Sequence, residues 1–114
     1  EKYPETEILG VGTNSAATNA MLRAGADQAA TGENSVSVAA GIADVIMGPV
    51  GIVIADSMLG EITPRMALAV GRSRAKRILI PVNLCDNIVV GTYDVPMSKN
   101  VQNAVEALGP LMKK

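Results

Sequence analysis

The chain alternates between short, continuous runs of apolar residues and longer stretches whose apolar positions recur at helical spacing. Continuous apolar runs are typical of buried strands, and the recurring positions are typical of helices that bury one face. The pattern therefore predicts strands that alternate with helices, as in a mostly parallel sheet covered on both faces. Predicted strands lie at residues 7–11, 27–31, 43–47, 77–82 and 88–92.

The first predicted helix has clear signals at both ends. Thr13 or Asn14 caps its start, and Gly25 stops it because glycine readily adopts the left-handed conformation. A second, short helix is predicted over residues 35–40.

Two later helices are also marked by their end residues. Thr63-Pro64 begins one of them, since Pro is favoured at the first helical position, and this helix ends near residues 71–73. Ser98 caps the last helix, which ends at Gly109-Pro110. Their predicted inward positions are Met66, Ala67 and Val70 in the former, and Val101, Ala104, Val105 and Leu108 in the latter.

The segment 49–59 fits two structures. Its run of β-branched residues favours a strand, whereas Pro49 before it and Gly60 after it favour a buried helix. We predict a helix, because a strand, a Gly-Pro turn and a helix continue the alternation seen elsewhere in the chain.

The composition is that of one globular domain. The chain has 114 residues, of which 48% are hydrophobic and 18% are charged. A disordered chain is therefore excluded, and the length is sufficient for a buried core. We predict a single α/β domain over residues 1–114, with a three-layer, Rossmann-like arrangement of a mostly parallel sheet between helices.

Charge and aromatic content argue against two classes of partner. The net charge of -1 provides no attraction to nucleic acid or to an anionic membrane. Tyr3 and Tyr93 are too few for stacking on bases. The longest uncharged apolar run, residues 45–55, is too short to cross a bilayer, and no signal peptide opens the chain. We expect a cytoplasmic protein that binds neither nucleic acid nor membrane.

The chain has no His and a single Cys, which limits its chemistry. Without His, the commonest general base and the commonest zinc ligand are both missing, so no metal site is predicted. Cys85 follows the strongest predicted strand and is a candidate nucleophile. A reactive thiol needs a base or a cation beside it, so a structural role for Cys85 is the simpler interpretation.

Four turns follow predicted strands and share Gly or Pro, most of them with short polar residues. Parallel strands end at one edge of a sheet, where α/β proteins bind ligands, and the next helix offers free amides to an anion. Ordinary turn and cap roles explain any single turn better, but four turns together favour a site. The candidate ligand-binding residues are Gly12, Thr13, Asn14, Thr31, Gly32, Glu33, Asn34, Gly48, Pro49, Gly51 and Asn83.

None of these turns contains a complete phosphate-binding motif. Gly10-Val11-Gly12 supplies only the first half of the dinucleotide motif, since Ser15 stands where the third glycine is required. Glu33 and Glu61 are the carboxylates that could act as a general base or bind a ribose hydroxyl. The alternative is that Glu33 complements a helix N-terminus and Glu61 merely precedes a helix; the sequence leaves Glu33 open and favours the ordinary role for Glu61.

Five segments of the chain form distinctive sequence motifs: residues 12–14, 20–26, 30–34, 48–64, and 78–83 with Cys85. Together they resemble a bacterial family described only as a domain of unknown function, with a Rossmann-like fold. The resemblance spans roughly residues 7–92, and the segment 48–64 is its most specific part. It implies a fold and brings no established activity.

Full-length members of that family are expected to begin with a further strand and a Gly-rich turn that holds a pyrophosphate. This part does not precede Glu1 here, and since the first residue is not Met we expect a processed chain or the inner part of a longer one. The resemblance implies nucleotide binding for the complete protein. If the chain is as short as this sequence, we expect its sheet to close differently or to take a strand from another subunit.

Two functions follow from these observations. The first is binding of a nucleotide-like or other small anionic ligand, with a nucleotide or dinucleotide as the conceivable cofactor; the sequence does not decide whether a reaction follows. The alternative is a non-catalytic homo-oligomeric or partner-binding module. It is favoured by a mean hydropathy of +0.27 and by six methionines, because Met-rich apolar surface often marks an interface.

Overall fold

The computed structural model describes residues 6–81, 88–91 and 96–112. Its four strands are β1 (Leu9–Gly12), β2 (Gln28–Thr31), β3 (Val45–Pro49) and β4 (Lys76–Ile80). Its α-helices are α1 (Ser15–Arg23), α2 (Glu33–Ile42), α3 (Pro64–Arg72) and α4 (Met97–Met112), with a 3-10 helix at Val50–Val53. No helix within these ranges is long and apolar enough to cross a membrane.

The strands form two parallel pairs. β1 pairs with β2, with Leu9 opposite Gln28, and β3 pairs with β4, with Val45 opposite Lys76. Helix α1 contacts both strands of the first pair, α4 lies against β4, and α2 packs on α3. The predicted α/β class and the parallel strand direction are confirmed, whereas the described strands form two separate pairs and not one sheet.

Helix α1 lies very close to β1 because two residues of the strand are glycines. A Cβ at Gly10 would come within 2.9 Å of the Cβ of Met21, and one at Gly12 would come within 2.7 Å of the backbone nitrogen of Thr18. The buried Thr18 then joins the helix to β2, since its hydroxyl shares a hydrogen bond of 2.7 Å with the hydroxyl of Thr31. The close approach of α1 to β1 therefore depends on the absence of a side chain at Gly10 and at Gly12.

The main buried cluster lies under α3 and not under the strands. Ile62, Met66 and Ala67 are buried together, and Val36 of α2 and Ile52 of the 3-10 helix pack against them. This cluster holds α2, α3 and the segment after β3 in fixed positions. It therefore sets the geometry of the turns that lie at the carboxyl ends of the strands.

The predicted helix starts at the first and third helices are confirmed. Asn14 caps α1, and its side-chain oxygen accepts a hydrogen bond of 2.9 Å from the amide of Ala17. Thr63 caps α3, and its hydroxyl accepts one of 3.2 Å from the amide of Met66. The predicted stop at Gly25 is also confirmed, since this residue has a φ of 114° just after α1.

The prediction of a helix over residues 49–59 is wrong. Pro49 ends β3, Val50–Val53 form a single 3-10 turn, and a loop follows from residue 54 to residue 62. Three of the four residues in the 3-10 turn are β-branched, and β-branched side chains lower helix propensity. The φ of 64° at Asp56 then excludes any continuation of a right-handed helix.

The two last predicted elements differ from those in the structure. Residues 88–91 form no strand, because a turn with a φ of 88° at Gly91 occupies this position; Thr92 lies outside the described residues. Helix α4 begins before Ser98 and continues through Pro110 to Met112. Pro110 does not end the helix, since a proline in the last turn removes a single backbone hydrogen bond.

Candidate functional site

The turns that follow β1 and β2 lie side by side at one edge of the molecule. The amide of Gly32 donates a hydrogen bond of 3.0 Å to the carbonyl of Gly12 and so ties the two turns together. The loop at 54–62 is attached to the turn after β3, because the hydroxyl of Ser57 donates to the carbonyl of Gly51 at 2.6 Å. Each of three predicted turns is thus fixed by contacts at this edge. We call the surface formed by residues 12–14, 31–34, 48–51 and 54–62 the carboxyl edge.

Glu61 belongs to the carboxyl edge because two residues of the first turn hold its carboxylate. The hydroxyl of Thr13 donates to Oε1 of Glu61 at 2.6 Å, and the side-chain amide of Asn14 lies 3.5 Å from Oε2. Glu61 is exposed, and a carboxylate has about four lone-pair positions, of which these contacts use two. Its remaining acceptor capacity is open to the hydroxyl or amine of a ligand.

Glu33 forms a second cluster at the same edge. Its Oε2 accepts a hydrogen bond from the hydroxyl of Thr63, and its Oε1 lies 3.4 Å from a guanidinium nitrogen of Arg65. Glu33 is the first residue of α2, whereas Thr63 and Arg65 lie at the start of α3. The carboxylate therefore joins the amino ends of two helices.

The two clusters share an electrostatic environment. The amino ends of α1, α2 and α3 all open toward the carboxyl edge, and each carries a partial positive charge from the helix dipole. Glu61 complements the start of α1, and Glu33 complements the starts of α2 and α3. The ionic interaction between Arg65 and Glu33 is weak, because the Arg65 side chain is 72% exposed.

Gly32 differs from Gly12 and Gly48, the glycines of the neighbouring turns. A Cβ at Gly12 would collide with α1, and one at Gly48 would come within 3.1 Å of Ile52, so packing explains both. Gly32 has a φ of 98°, and apart from its chain neighbours no atom of the described residues lies within 4 Å of the position of a Cβ there. It is the N-cap residue of α2 and provides no side-chain cap to the first amides of that helix.

The remaining candidate residues from the sequence lie in the second and third turns or outside the described residues. The Thr31 carbonyl accepts a hydrogen bond of 2.9 Å from the hydroxyl of Ser35, and Asn34 is exposed in the first turn of α2. Pro49 ends β3. Asn83 and Cys85 lie outside the described residues. Within the described ranges, no group of three or more Cys, Asp or Glu side chains is arranged to hold a metal ion.

Arg65 was not identified from the sequence, although one signal was present. A cation in the first turn of a helix is disfavoured by the helix dipole. Arg65 directly follows the Thr63-Pro64 start of α3, so it stands where an acidic partner would be needed. The structure places that partner, Glu33, on α2.

The loop at 54–62 carries unusual backbone strain. Asp56, Met58 and Leu59 have φ values of 64°, 57° and 57°, followed by 89° at Gly60. The left-handed conformation costs a residue other than glycine about 1–2 kcal/mol. Met58 and Leu59 gain little from packing in return, since they are 39% and 101% exposed. Such strain is characteristic of functional segments.

Two shallow cavities lie away from the carboxyl edge. Their volumes are about 380 and 320 Å³, and both include Ala43 and Arg74 at the amino ends of β3 and β4. Arg74 and Lys76 line the first cavity together with Asp44, and Arg72 and Arg74 line the second. Next to them, Arg77 donates to the Ser73 carbonyl at 2.8 Å, at the carboxyl end of α3. Cations near the carboxyl end of a helix complement its dipole, which is an ordinary role for the basic residues between positions 72 and 77.

Comparison with known proteins identifies a family and no closer relative. No curated protein and no solved structure matches the chain. The family model described as Domain of unknown function (DUF3842) matches residues 1–113, so the chain belongs to this family.

Proposed function

We propose that this member of the DUF3842 family binds a small nucleotide-like molecule at the carboxyl edge. The observation that carries the proposal is the position of Glu33 and Glu61. Both carboxylates are held at the carboxyl edge by residues from other turns of the chain. In α/β proteins, ligands bind at the edge of the sheet where the strands end.

The hydroxyl groups of a ligand would be bound by the glutamates. Glu61 is exposed and has open acceptor positions beside the Thr13 hydroxyl and the Asn14 amide. A ribose presents adjacent hydroxyls, which carboxylate oxygens accept as strong, charge-assisted hydrogen bonds. Binding of a ribose hydroxyl is one of the roles that the sequence allows for Glu61, although the sequence favours an ordinary role before a helix.

The anionic part of the ligand would be bound by the start of α2. Gly32 places no side chain in front of the first amides of α2. The first amides of a helix are oriented so that they can donate to an anion. Arg65 is exposed and lies 3.4 Å from Glu33, so its guanidinium can turn toward a phosphate without leaving the edge.

We further infer that the two strand pairs belong to one Rossmann-like sheet. All described pairs are parallel, and the chain passes from β2 through α2 to β3. A further strand between β1 and β3 would join the pairs and would place the carboxyl edge at the point where the strand order reverses. Ligands of doubly wound sheets bind at such a point.

A thermal-shift panel tests the proposed binding. NAD, NADP, ATP, FAD and S-adenosylmethionine at millimolar concentration are expected to include at least one compound that raises the melting temperature. Glu61→Gln should reduce that shift, because the amide presents one acceptor oxygen where the carboxylate presents two. Glu106→Gln, on the exposed face of α4, is the matched control and should leave the shift unchanged. If no compound shifts the melting temperature, the proposal is wrong.

A second candidate function is self-association through α2. Val38 and Ile42 are 56% and 72% exposed and lie one helical turn apart on this helix. Two copies of such a face could pack against each other as an isologous pair. Sedimentation velocity should then show a dimer that Ile42→Asp converts to a monomer; a wild-type monomer would exclude this function.

A further inference from the structure

The strained turn at Met58–Leu59 is the feature that the binding site described above leaves unexplained. Met58, Leu59 and Gly60 form a left-handed turn, and the side chain of Leu59 is fully exposed. An apolar side chain in an unfavourable backbone conformation, with no neighbour to bury it, stabilises neither the turn nor the core. A contact partner for this side chain would account for the arrangement.

The turn is held rigidly by the loop that carries it. The amide of Asp56 donates to the carbonyl of Ile62 at 2.6 Å, and the amide of Ile62 donates to the carbonyl of Ser57 at 3.2 Å. These bonds close the loop at its base, and Ile62 is itself only 4% exposed in the main cluster. The exposed turn is thus mounted on a fixed base.

The base of the loop also belongs to the carboxyl edge. Glu61 is held by Thr13, and Thr63 is bonded to Glu33. Consecutive Cα atoms are about 3.8 Å apart, so the Cα of Leu59 lies no more than about 7.6 Å from that of Glu61. The exposed turn is therefore a close neighbour along the chain of Glu61, whose acceptor oxygens the proposed function assigns to a ligand.

We propose that Met58 and Leu59 form an apolar subsite for a planar ring of the bound ligand. The proposal rests on the proposed function and names the part of the ligand that the polar contacts leave undefined. Two side chains offer too little area for a stable protein interface, which needs roughly 800 Å² on each partner. An apolar surface next to a few fixed polar groups is instead typical of a small-molecule site.

The test compares AMP with ribose 5-phosphate, in which a hydroxyl group replaces the base. AMP carries a phosphate, a ribose and a base, whereas ribose 5-phosphate lacks the base. Calorimetric titration of the wild-type chain should show about tenfold tighter binding of AMP, the gain expected from burying part of a leucine side chain. Leu59→Asn should reduce AMP affinity to that of ribose 5-phosphate and leave the latter unchanged.

The variants are chosen so that folding does not decide the result. Asn and Gly both tolerate the left-handed conformation, so Leu59→Asn and Leu59→Gly should keep the turn and remove the apolar surface. Leu22→Gln is the control, since Leu22 is 46% exposed on α1; it should bind AMP as the wild type does.

The outcomes separate the subsite from the site. Equal wild-type affinities for AMP and ribose 5-phosphate, or unchanged AMP affinity in both Leu59 variants, would overturn the apolar subsite and leave the proposed function intact. Failure of both phosphates to bind would overturn the subsite as proposed; the proposed function itself falls only if no compound of the thermal-shift panel binds.

Discussion

Single residues at the carboxyl edge serve more than one contact each. The hydroxyl of Thr63 accepts from the amide of Met66 and donates to the carboxylate of Glu33, so one oxygen caps α3 and attaches it to α2. Asn14 likewise caps α1 through its oxygen and contacts Glu61 through its amide nitrogen. The cap residues thus link the helices to the candidate site.

Replacement of Thr63 tests this double role at the level of stability. Thr63→Val keeps the shape but removes the hydroxyl, so both the cap and the bond to Glu33 are lost. We expect a loss of about 1–2 kcal/mol in the free energy of unfolding, since a cap contributes about 1 kcal/mol and water can partly replace the second bond. Urea denaturation of the two chains measures it.

Thr63→Ser is the matched variant, because it keeps the hydroxyl. It should cost less than about 1 kcal/mol. Equal losses for Thr63→Val and Thr63→Ser would show that the hydroxyl contributes nothing at this position.

At the level of elements, the sequence predicted those that have local signals. Helix α3 follows from the Thr63-Pro64 start and from the spacing of its buried residues, and α1 follows from its caps. The segment 49–59 had no such signal, since its apolar run suits a strand and a helix equally. What decides its structure is the left-handed turn at 56–60, which is held by hydrogen bonds at the loop base and by the long-range bond from Thr13 to Glu61.

The candidate site was predictable in position and not in detail. Strand ends with Gly and polar residues indicate the edge, and Glu33 and Glu61 were identified as candidates from their turns. The partners that hold them were not, because Glu61 is bonded to Thr13 and Glu33 to Thr63, far apart in the sequence. Pairings of this kind follow from the tertiary fold and leave no periodic signal.

At the scale of the whole molecule, the two ends of the strands differ in character. The carboxyl ends carry hydrogen-bonded glutamates and open helix starts, whereas the amino ends of β3 and β4 carry cations and the shallow cavities. The proposed ligand, with hydroxyl groups and a phosphate, is assigned to the former. Cavity volume alone would point to the latter, where basic residues lie near the carboxyl end of α3 and complement its dipole.

The most direct test maps the bound ligand onto these two ends. Amide resonances of the isotope-labelled chain are recorded by NMR during titration with the nucleotide that gives the largest thermal shift. Binding at the carboxyl edge predicts the largest chemical-shift changes at residues 12–14, 32–35 and 59–63. Changes confined to residues 43–45 and 74–76, or no changes at all, would contradict the account.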